Sequence, residues 1–151
     1  IRTFEDDMSQ KPSILVLCTG NSARSQMTQC FLSRELGDGY DVYSAGTEPT
    51  DRVHPVTVEV LKEVGFDVAD RKPVSHEEYL GRVPVHTLIT VCDGAAQTCP
   101  SVWPGVLERL AWPFEDPAAF AGSREEQLET FRRIRDQIEA HVAEYARTVR
   151  G

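Results

Sequence analysis

A chain of 151 residues with 40 % hydrophobic side chains fits one globular domain with an ordinary core, which excludes a repeat array or a largely disordered protein. Its 24 acidic and 16 basic residues give a net charge of -8, which argues against nucleic acid or an anionic membrane as a partner. No apolar run approaches the length of a membrane span and no secretory signal opens the sequence, so we expect a cytoplasmic protein whose four cysteines serve redox or nucleophilic chemistry.

The first elements predicted along the chain are a strand, a loop and a helix. Residues 1–11 are polar and acidic without periodicity, which predicts a loose extension ahead of a single domain over residues 12–151. The apolar run Ile14–Leu17 predicts a strand. Apolar residues then recur at helical spacing from Ser25 until Gly37, which predicts a helix between them.

Strand and helix patterns continue to alternate to the end of the chain. The further predicted strands are Asp41–Ala45, His86–Val91 and Leu107–Ala111. The further predicted helices are His54–Val64, Ser75–Leu80 and Ser123–Val149. This alternation predicts an α/β fold: a single three-layer domain whose central, mostly parallel, four-stranded sheet carries helices on both faces. Ligands of such sheets bind beyond the carboxyl ends of the strands, the edge at which Cys18 and Cys92 both lie.

The loop after the first strand combines a thiol with a guanidinium. Backbone N–H groups of a tight loop and the following helix N-terminus converge on one point, which favours an anion. The fork of Arg24 can bind two oxygens of that anion, and the same positive field is expected to depress the pKa of Cys18 towards the thiolate. Gly20 permits close approach of the backbone, and the hydroxyl of Ser25 can donate to the sulfur. The predicted anion-binding residues are Thr19, Gly20, Asn21, Ser22, Ala23, Arg24 and Ser25.

The other cysteines differ in their surroundings. Cys92 and Cys99 are seven positions apart, so a continuous helix would separate their Cα atoms by roughly 10 Å, whereas a disulfide needs less than about 7 Å. A bond between them therefore requires local unwinding, which Gly94 favours, and two unrelated thiols are the alternative. Cys30 shares the apolar helix face of Phe31, which predicts a small core residue.

A candidate general acid lies late in the chain. Pro117 biases Asp116 towards an extended conformation, and a rigidly held carboxyl in a low-dielectric pocket can donate a proton to a leaving group. The Asp-Pro pair is also common in turns. Glu115 is an equally acidic neighbour, and the chemistry of the residues alone does not separate the two.

Four stretches, in the same order as in a known family, extend over almost the whole chain from Lys11 onward. They are Leu17–Met27, Tyr43–Gly46, Val91–Pro100 and Asp116–Ala118. Together they resemble the thioredoxin-coupled arsenate reductases, which share the low-molecular-weight protein tyrosine phosphatase fold. The first loop fits either branch of that superfamily, and the pair Cys92 and Cys99 is the specific mark of the reductases.

The resemblance implies a relay of three cysteines. Cys18 would attack arsenate bound by Arg24 and the loop amides, while Asp116 protonates the departing oxygen. Cys92 would then attack the Cys18–arsenic adduct, releasing arsenite and leaving a Cys18–Cys92 disulfide. Cys99 would attack that disulfide in turn, and thioredoxin would reduce the resulting Cys92–Cys99 bond. Phosphate and sulfate would compete with arsenate for the loop.

The resemblance also implies supporting roles, with some departures. Asn21 would hold the loop in shape and Ser25 would support the thiolate. Several relatives have a second cysteine where this chain has Ala23, so no disulfide can form within the loop. Relatives that bind potassium use a Glu and an Asp where this chain has Gln29 and Val74. We therefore predict no metal site, and we expect no other cofactor.

Two other functions stay open, and so does the reductant. A low-molecular-weight phosphatase would need Cys18, Arg24 and Asp116 but not the later cysteines, and an oxyanion or redox sensor would signal through its disulfide state. Residues 118–120 lack the paired tyrosines common in the tyrosine phosphatases, which argues against an aromatic phosphoester. A glutaredoxin or a small thiol is the alternative to thioredoxin. We expect the protein to act as a monomer.

Overall fold

The computed structural model describes residues 11–92 and 105–150, with the backbone alone at positions 92 and 150. The strands are β1 (Ser13–Cys18), β2 (Asp41–Gly46), β3 (Thr87–Cys92) and β4 (Glu108–Phe114). The α-helices are α1 (Arg24–Leu36), α2 (Pro55–Lys62) and α3 (Arg124–Arg150). Short 3-10 helices cover His76–Glu78 and Pro117–Ala119. Of the predicted N-terminal extension, residues 1–10 lie outside the described residues.

The strands form one sheet in the order β2-β1-β3-β4, and every neighbouring pair is parallel. The register places Gly46 opposite Cys18 at the end of β1. On the other side of β1, Leu17 lies opposite Thr90 of β3. The carboxyl ends of β1, β2 and β3 therefore meet at one edge of the sheet. This sheet confirms the predicted α/β fold. It places Cys18 at the carboxyl end of an inner strand, in the middle of that edge.

Both faces of the central strand β1 are buried, and all six of its residues lie in the interior. Ile14 and Val16 belong to the larger core, which the three α-helices cover. Leu15 and Leu17 face the opposite side, where Val85 and the ring of Tyr79, next to the first 3-10 helix, pack against them. The apolar stripe of α3 is fully buried at Phe131, Ile134, Ile138 and Val142. This stripe confirms the amphipathic helix read from the sequence.

Some element boundaries differ from the predicted ones. Strand β4 begins at Glu108 and continues to Phe114, although the sequence suggested an end at Ala111. Since β4 lies at the edge of the sheet, the missing N–H of Pro113 removes no bond that the sheet requires. The predicted helix at Ser75–Leu80 is a single 3-10 turn, and α2 ends at Lys62, ahead of Gly65 in its left-handed conformation (φ 95°). Within residues 11–92 and 105–150, no helix has the length and apolarity to span a membrane.

Candidate active site

The sulfur of Cys18 lies at the end of β1 and is almost completely buried. The backbone N–H of Asn21 donates to Cys18 Sγ at 3.2 Å, and Ser25 Oγ lies 2.9 Å from the same sulfur. Above it a cavity of about 230 Å³ opens. Its lining consists of Cys18, Thr19, Gly20, Ser22, Ala23, Arg24, Glu48, Thr50, Asp116 and Ala118. The structure thus brings the predicted nucleophile, arginine and acid to one cavity.

The segment that follows β2, residues 47–54, holds the loop from outside and is called the clamp segment here. Four of its backbone N–H groups donate to loop carbonyls at 2.9 to 3.0 Å: Thr47 to Cys18, Glu48 to Thr19, Thr50 to Gly20 and His54 to Ser22. Because these carbonyl oxygens are engaged by the clamp segment, they are kept from the cavity, where they would repel an anion. Sequence patterns gave no signal for the clamp segment, since any residue type other than proline can supply a backbone N–H.

Asn21 is the residue around which the loop folds. It is fully buried, and its φ of 53° lies in the left-handed region that asparagine tolerates better than most residues. Its Nδ2 donates to Ser25 Oγ at 2.7 Å and to Ser44 Oγ at 3.1 Å. Its Oδ1 accepts from the backbone N–H of Val74 at 2.9 Å and from Gln26 Nε2 at 3.2 Å. These bonds support the shaping role that the resemblance implied for Asn21.

The hydrogen bonds around Ser25 orient its hydroxyl proton towards the sulfur of Cys18. Asn21 Nδ2 donates to Ser25 Oγ, so the hydroxyl proton of Ser25 is available to the sulfur of Cys18. A thiolate can only accept, and the Ser25 hydroxyl and the Asn21 backbone N–H are both placed to donate to this one. Hydrogen bonds to the charged form of a group favour that form, so the geometry stabilises the Cys18 thiolate.

Replacing Ser25 by alanine is expected to raise the pKa of the Cys18 thiol, because a hydroxyl donor to the thiolate is lost. Alkylation of Cys18 by iodoacetamide should then slow about tenfold at pH values below the pKa of the variant. The pH profile of the alkylation rate measures this shift. Ser33→Ala, on an exposed position of α1, is the matched control and should leave the profile unchanged. Superimposable profiles for Ser25→Ala and the parent would contradict the role given to the hydroxyl.

Arg24 begins α1 and is 6 % exposed. Its Nη1 donates to the carbonyl oxygen of Phe114 at 3.2 Å, and its Nη2 lies 3.5 Å from Asp116 Oδ2. The bond to Phe114, at the end of β4, fixes the plane of the guanidinium at the cavity. An anion in the cavity would therefore meet an arginine that is already oriented, with a carboxyl group beside it.

The structure separates the two candidate acids. Asp116 lines the cavity and caps the second 3-10 helix, with its Oδ1 accepting from the N–H of Ala118 at 3.0 Å. Glu115 forms an ion pair with Arg133 at 3.0 Å, and its side chain is 59 % exposed. Of these two candidates, Asp116 lines the cavity with Cys18 and Glu115 does not, so the geometry favours Asp116 over Glu115 as an acid.

A second cavity, of about 180 Å³, lies between Asn21 of the loop and the guanidinium of Arg71. Arg71 Nη1 donates to Gln29 Oε1 at 3.1 Å, and Ser44 Oγ donates to the same oxygen at 2.7 Å. Ser44 in turn accepts from Asn21 Nδ2. A continuous chain of hydrogen bonds thus extends from Arg71 to the residue that shapes the loop. Arg71 and Ser44 were not among the sequence-predicted site residues, because nothing in their spacing relates them to Cys18.

The remaining cysteines occupy different parts of the chain. The backbone of Cys92 ends β3, the strand next to β1, and lies opposite Phe114 in β4. Cys99 lies outside the described residues. Cys30 is 1 % exposed in the core, as predicted, and burial raises the pKa of its thiol. Cys30 is therefore unsuited to nucleophilic attack.

A strand, an anion-binding loop and a helix, with a cysteine at the base of the loop and an arginine at its end, define a class of enzymes that attack oxyanions through a thiolate. The family model for low molecular weight phosphotyrosine protein phosphatase matches residues 13–151. The chain therefore belongs to the low molecular weight phosphotyrosine protein phosphatase family. This membership agrees with the fold and with the resemblance read from the sequence.

Individual relatives lie within the reductase branch. An arsenate reductase of Halalkalibacterium halodurans is 40 % identical over 139 residues, which are 91 % of this chain and 97 % of that protein. A solved arsenate reductase in the phosphate binding state superimposes with a TM-score of 0.75 at 26 % identity, over 91 % of this chain and 98 % of the other. A thioredoxin-dependent arsenate reductase of Corynebacterium glutamicum gives a TM-score of 0.71 at 26 % identity, over 94 % of this chain and 63 % of the other.

Proposed function

We propose that this protein is an arsenate reductase that passes the oxidising equivalents of arsenate along Cys18, Cys92 and Cys99 to thioredoxin. The observation that carries the proposal is the Cys18 sulfur, which receives the Asn21 N–H and lies next to Ser25 Oγ at the floor of an anion-sized cavity. Likeness to arsenate reductases over nine-tenths of the chain supports the same substrate.

The first step is a substitution at arsenic. The loop amides and Arg24 bind arsenate, and the Cys18 thiolate attacks the arsenic atom. A sulfur–arsenic bond forms while the bond from arsenic to one of its hydroxyl groups breaks, and the departing hydroxyl takes a proton from Asp116 and leaves as water. Asp116 is placed for this because its carboxyl lines the same cavity as the sulfur. Arsenic is still pentavalent after this step.

The second step transfers two electrons. A Cys92 thiolate attacks Cys18 Sγ, and the electron pair of the sulfur–arsenic bond passes to arsenic, which leaves as arsenite. A Cys18–Cys92 disulfide results. The adjacency of β1 and β3 supports this step, since it places the backbone of Cys92 on the strand next to the one that ends in Cys18.

The third step restores the nucleophile. Cys99 attacks Cys92, which frees the Cys18 thiolate and leaves a Cys92–Cys99 disulfide, and the dithiol of thioredoxin reduces that bond. The likeness to a thioredoxin-dependent arsenate reductase supports thioredoxin as the reductant. A relay that must return to free thiols needs a reducing compartment, so we place the protein in the cytoplasm, acting as a monomer.

Hydrolysis of a phosphoester is the second candidate function, because phosphate and arsenate are both tetrahedral anions and the loop suits either one. The family model itself favours this alternative, since it describes phosphotyrosine phosphatases. Among the described residues that line the cavity, however, none is aromatic and could stack on a tyrosine ring, and a phosphatase has no use for Cys92 and Cys99.

Mapping of disulfides after a single turnover tests the relay. The reduced protein is mixed with arsenate in the absence of reductant, and mass spectrometry identifies which cysteines are joined. We expect a Cys92–Cys99 bond in the parent protein and a trapped Cys18–Cys92 bond in Cys99→Ser. The Cys99→Ser variant should lose multiple turnover with thioredoxin, whereas Cys30→Ala, the control, should form the parent's disulfide. Sustained thioredoxin-coupled turnover by Cys99→Ser would rule out the relay.

A further inference from the structure

His54 is a titratable residue that contacts the anion-binding loop but has no part in the relay. It is partly buried and ends the clamp segment immediately before α2. Its backbone N–H donates to the carbonyl oxygen of Ser22 at 3.0 Å. Its ring packs against Phe131 of α3, with the two ring centroids 4.8 Å apart. His54 therefore joins the loop, α2 and α3 at one point.

The side chain of His54 is the N-cap of α2. Its Nδ1 accepts from the backbone N–H of Val56 at 3.1 Å, and Pro55 occupies the first helical position. An imidazole nitrogen accepts a hydrogen bond only when it carries no proton, so the geometry requires a neutral ring with its hydrogen on Nε2. Protonation of Nδ1 would remove the acceptor and would place a positive charge at the positive end of the helix dipole.

We propose that His54 is a positioning residue that keeps the anion-binding loop in its binding shape only while its imidazole is neutral, so that acid weakens oxyanion binding through this residue. When the cap is lost, the first turn of α2 frays, and the backbone N–H that holds Ser22 O is no longer fixed. The loop then loses one of the four bonds that keep its carbonyl groups away from the cavity. The inference rests on the proposed function only in that the loop binds an oxyanion.

The surroundings of His54 favour the neutral ring. Burial lowers the pKa of His54 below its ordinary value of 6.5, which is the largest effect. The Asp116 carboxylate raises the pKa and Arg52, on the clamp segment, lowers it. The charge of Asp116 is partly balanced by Arg24 of the loop, 3.5 Å away, and α3 presents the apolar ring of Phe131.

Further along α2 and α3, several charged side chains of the two helices form ion pairs with one another. Glu59 of α2 forms an ion pair with Arg124 of α3, and Glu63 of α2 pairs with Arg132 and Arg135 of α3. Because burial lowers its pKa, His54 favours the neutral ring in the folded protein and takes up a proton at a lower pH than an ordinary histidine does. The unfolded chain, whose histidine keeps the ordinary value, takes up its proton first, so the stability that the neutral ring contributes is lost as the pH falls below that value.

Binding of inorganic phosphate tests the inference without requiring turnover. Its dissociation constant is measured by calorimetry between about pH 5 and pH 7.5 for the parent, His54→Asn and His54→Ala. Asparagine supplies a capping oxygen that takes no proton in this range, and alanine supplies no cap. The ratio of the parent's constant to that of His54→Asn cancels the ionisation of phosphate and Cys18, which the two proteins share. We expect this ratio to rise about five-fold from the upper to the lower pH.

His54→Ala should bind phosphate more weakly than His54→Asn at every pH, because asparagine restores the cap that alanine lacks. His86→Asn is the matched control. The Nδ1 of His86 also accepts a backbone N–H, that of Ser13 at 3.0 Å, but at the amino end of the sheet. The dissociation constant of phosphate for His86→Asn should show the same pH dependence as that of the parent. Circular dichroism at each pH establishes which variants are folded. If His54→Ala is unfolded, the comparison of the parent with His54→Asn alone tests the inference.

Two outcomes would overturn the inference, and they are distinguishable. Parallel pH curves for the parent and His54→Asn would show that the imidazole does not control the loop, and the proposed function would be untouched. Failure of the folded parent to bind phosphate at any pH would remove the oxyanion site itself, and with it both the proposed function and the role of His54.

Discussion

Replacing Arg24 by lysine is expected to lower kcat/KM for arsenate reduction by a factor of about 10² to 10³. The guanidinium does two things at once: Nη1 donates to the carbonyl oxygen of Phe114, and Nη2 points to the cavity beside Asp116. A lysine has one nitrogen, which cannot hold the Phe114 carbonyl and bind an anion in a fork. The variant therefore leaves either the buried carbonyl or the anion without its donor.

The measurement is the initial rate of thioredoxin-coupled arsenate reduction, together with the dissociation constant of phosphate. Arg34→Lys is the control, because Arg34 lies on the same helix but pairs on the surface with Glu139, and its replacement should change kcat/KM by less than about two-fold. If Arg24→Lys kept its kcat/KM within about three-fold of the parent, the loop amides alone would account for anion binding.

Much of the fold could be predicted because the pattern of apolar residues that marks each strand or helix lies within one short stretch of the chain. The continuous apolar run in β1 reflects burial on both faces, and the helical spacing in α3 reflects one buried stripe. The same holds for Cys18 and Arg24, since the loop that joins them is a single short stretch between a strand and a helix. Local chemistry and its setting between these two elements were sufficient to predict that Cys18 and Arg24 lie together at one cavity.

The rest of the site depends on contacts between positions far apart in the chain. Arg71 reaches Asn21 through the side chains of Gln29 and Ser44, which come from two other elements. The clamp segment acts through backbone N–H groups, which leave no trace in residue type. The chemistry of two adjacent carboxyl groups did not separate Asp116 from Glu115; the resemblance favoured Asp116, and the structure places Asp116 at the cavity and Glu115 in a surface ion pair.

Glycine provides a second example of a requirement that only the structure locates. We expected Gly20 to permit close approach of the backbone, and a Cβ there would meet only side-chain atoms, nearest the methyl group of Thr50 at 3.2 Å. The tighter position is Gly46, at the end of β2. A Cβ at Gly46 would lie 2.5 Å from the carbonyl oxygen of Thr19 and 3.0 Å from the backbone nitrogen of Asn21. Both are backbone atoms of the anion-binding loop, so no rotamer change can relieve the contact.

Replacing Gly46 by alanine is therefore expected to displace the loop, to lower the free energy of unfolding by about 1–3 kcal/mol and to weaken phosphate binding more than tenfold. Chemical denaturation and calorimetry measure the two effects. Gly39→Ala is the matched control, since a Cβ there meets nothing within 4 Å and its φ lies outside the left-handed range, and it should leave both quantities nearly unchanged.

The two measurements on Gly46→Ala separate a local from a general effect. A variant that is still folded but binds phosphate weakly has a displaced loop on an intact sheet, as the contact with Thr19 O requires. A variant that loses stability yet binds phosphate as the parent does would show that β2 moves instead and that the loop keeps its shape. That result would assign the rigidity of the loop to Asn21 and its partners, Ser25 and Ser44, rather than to the close packing of two backbones.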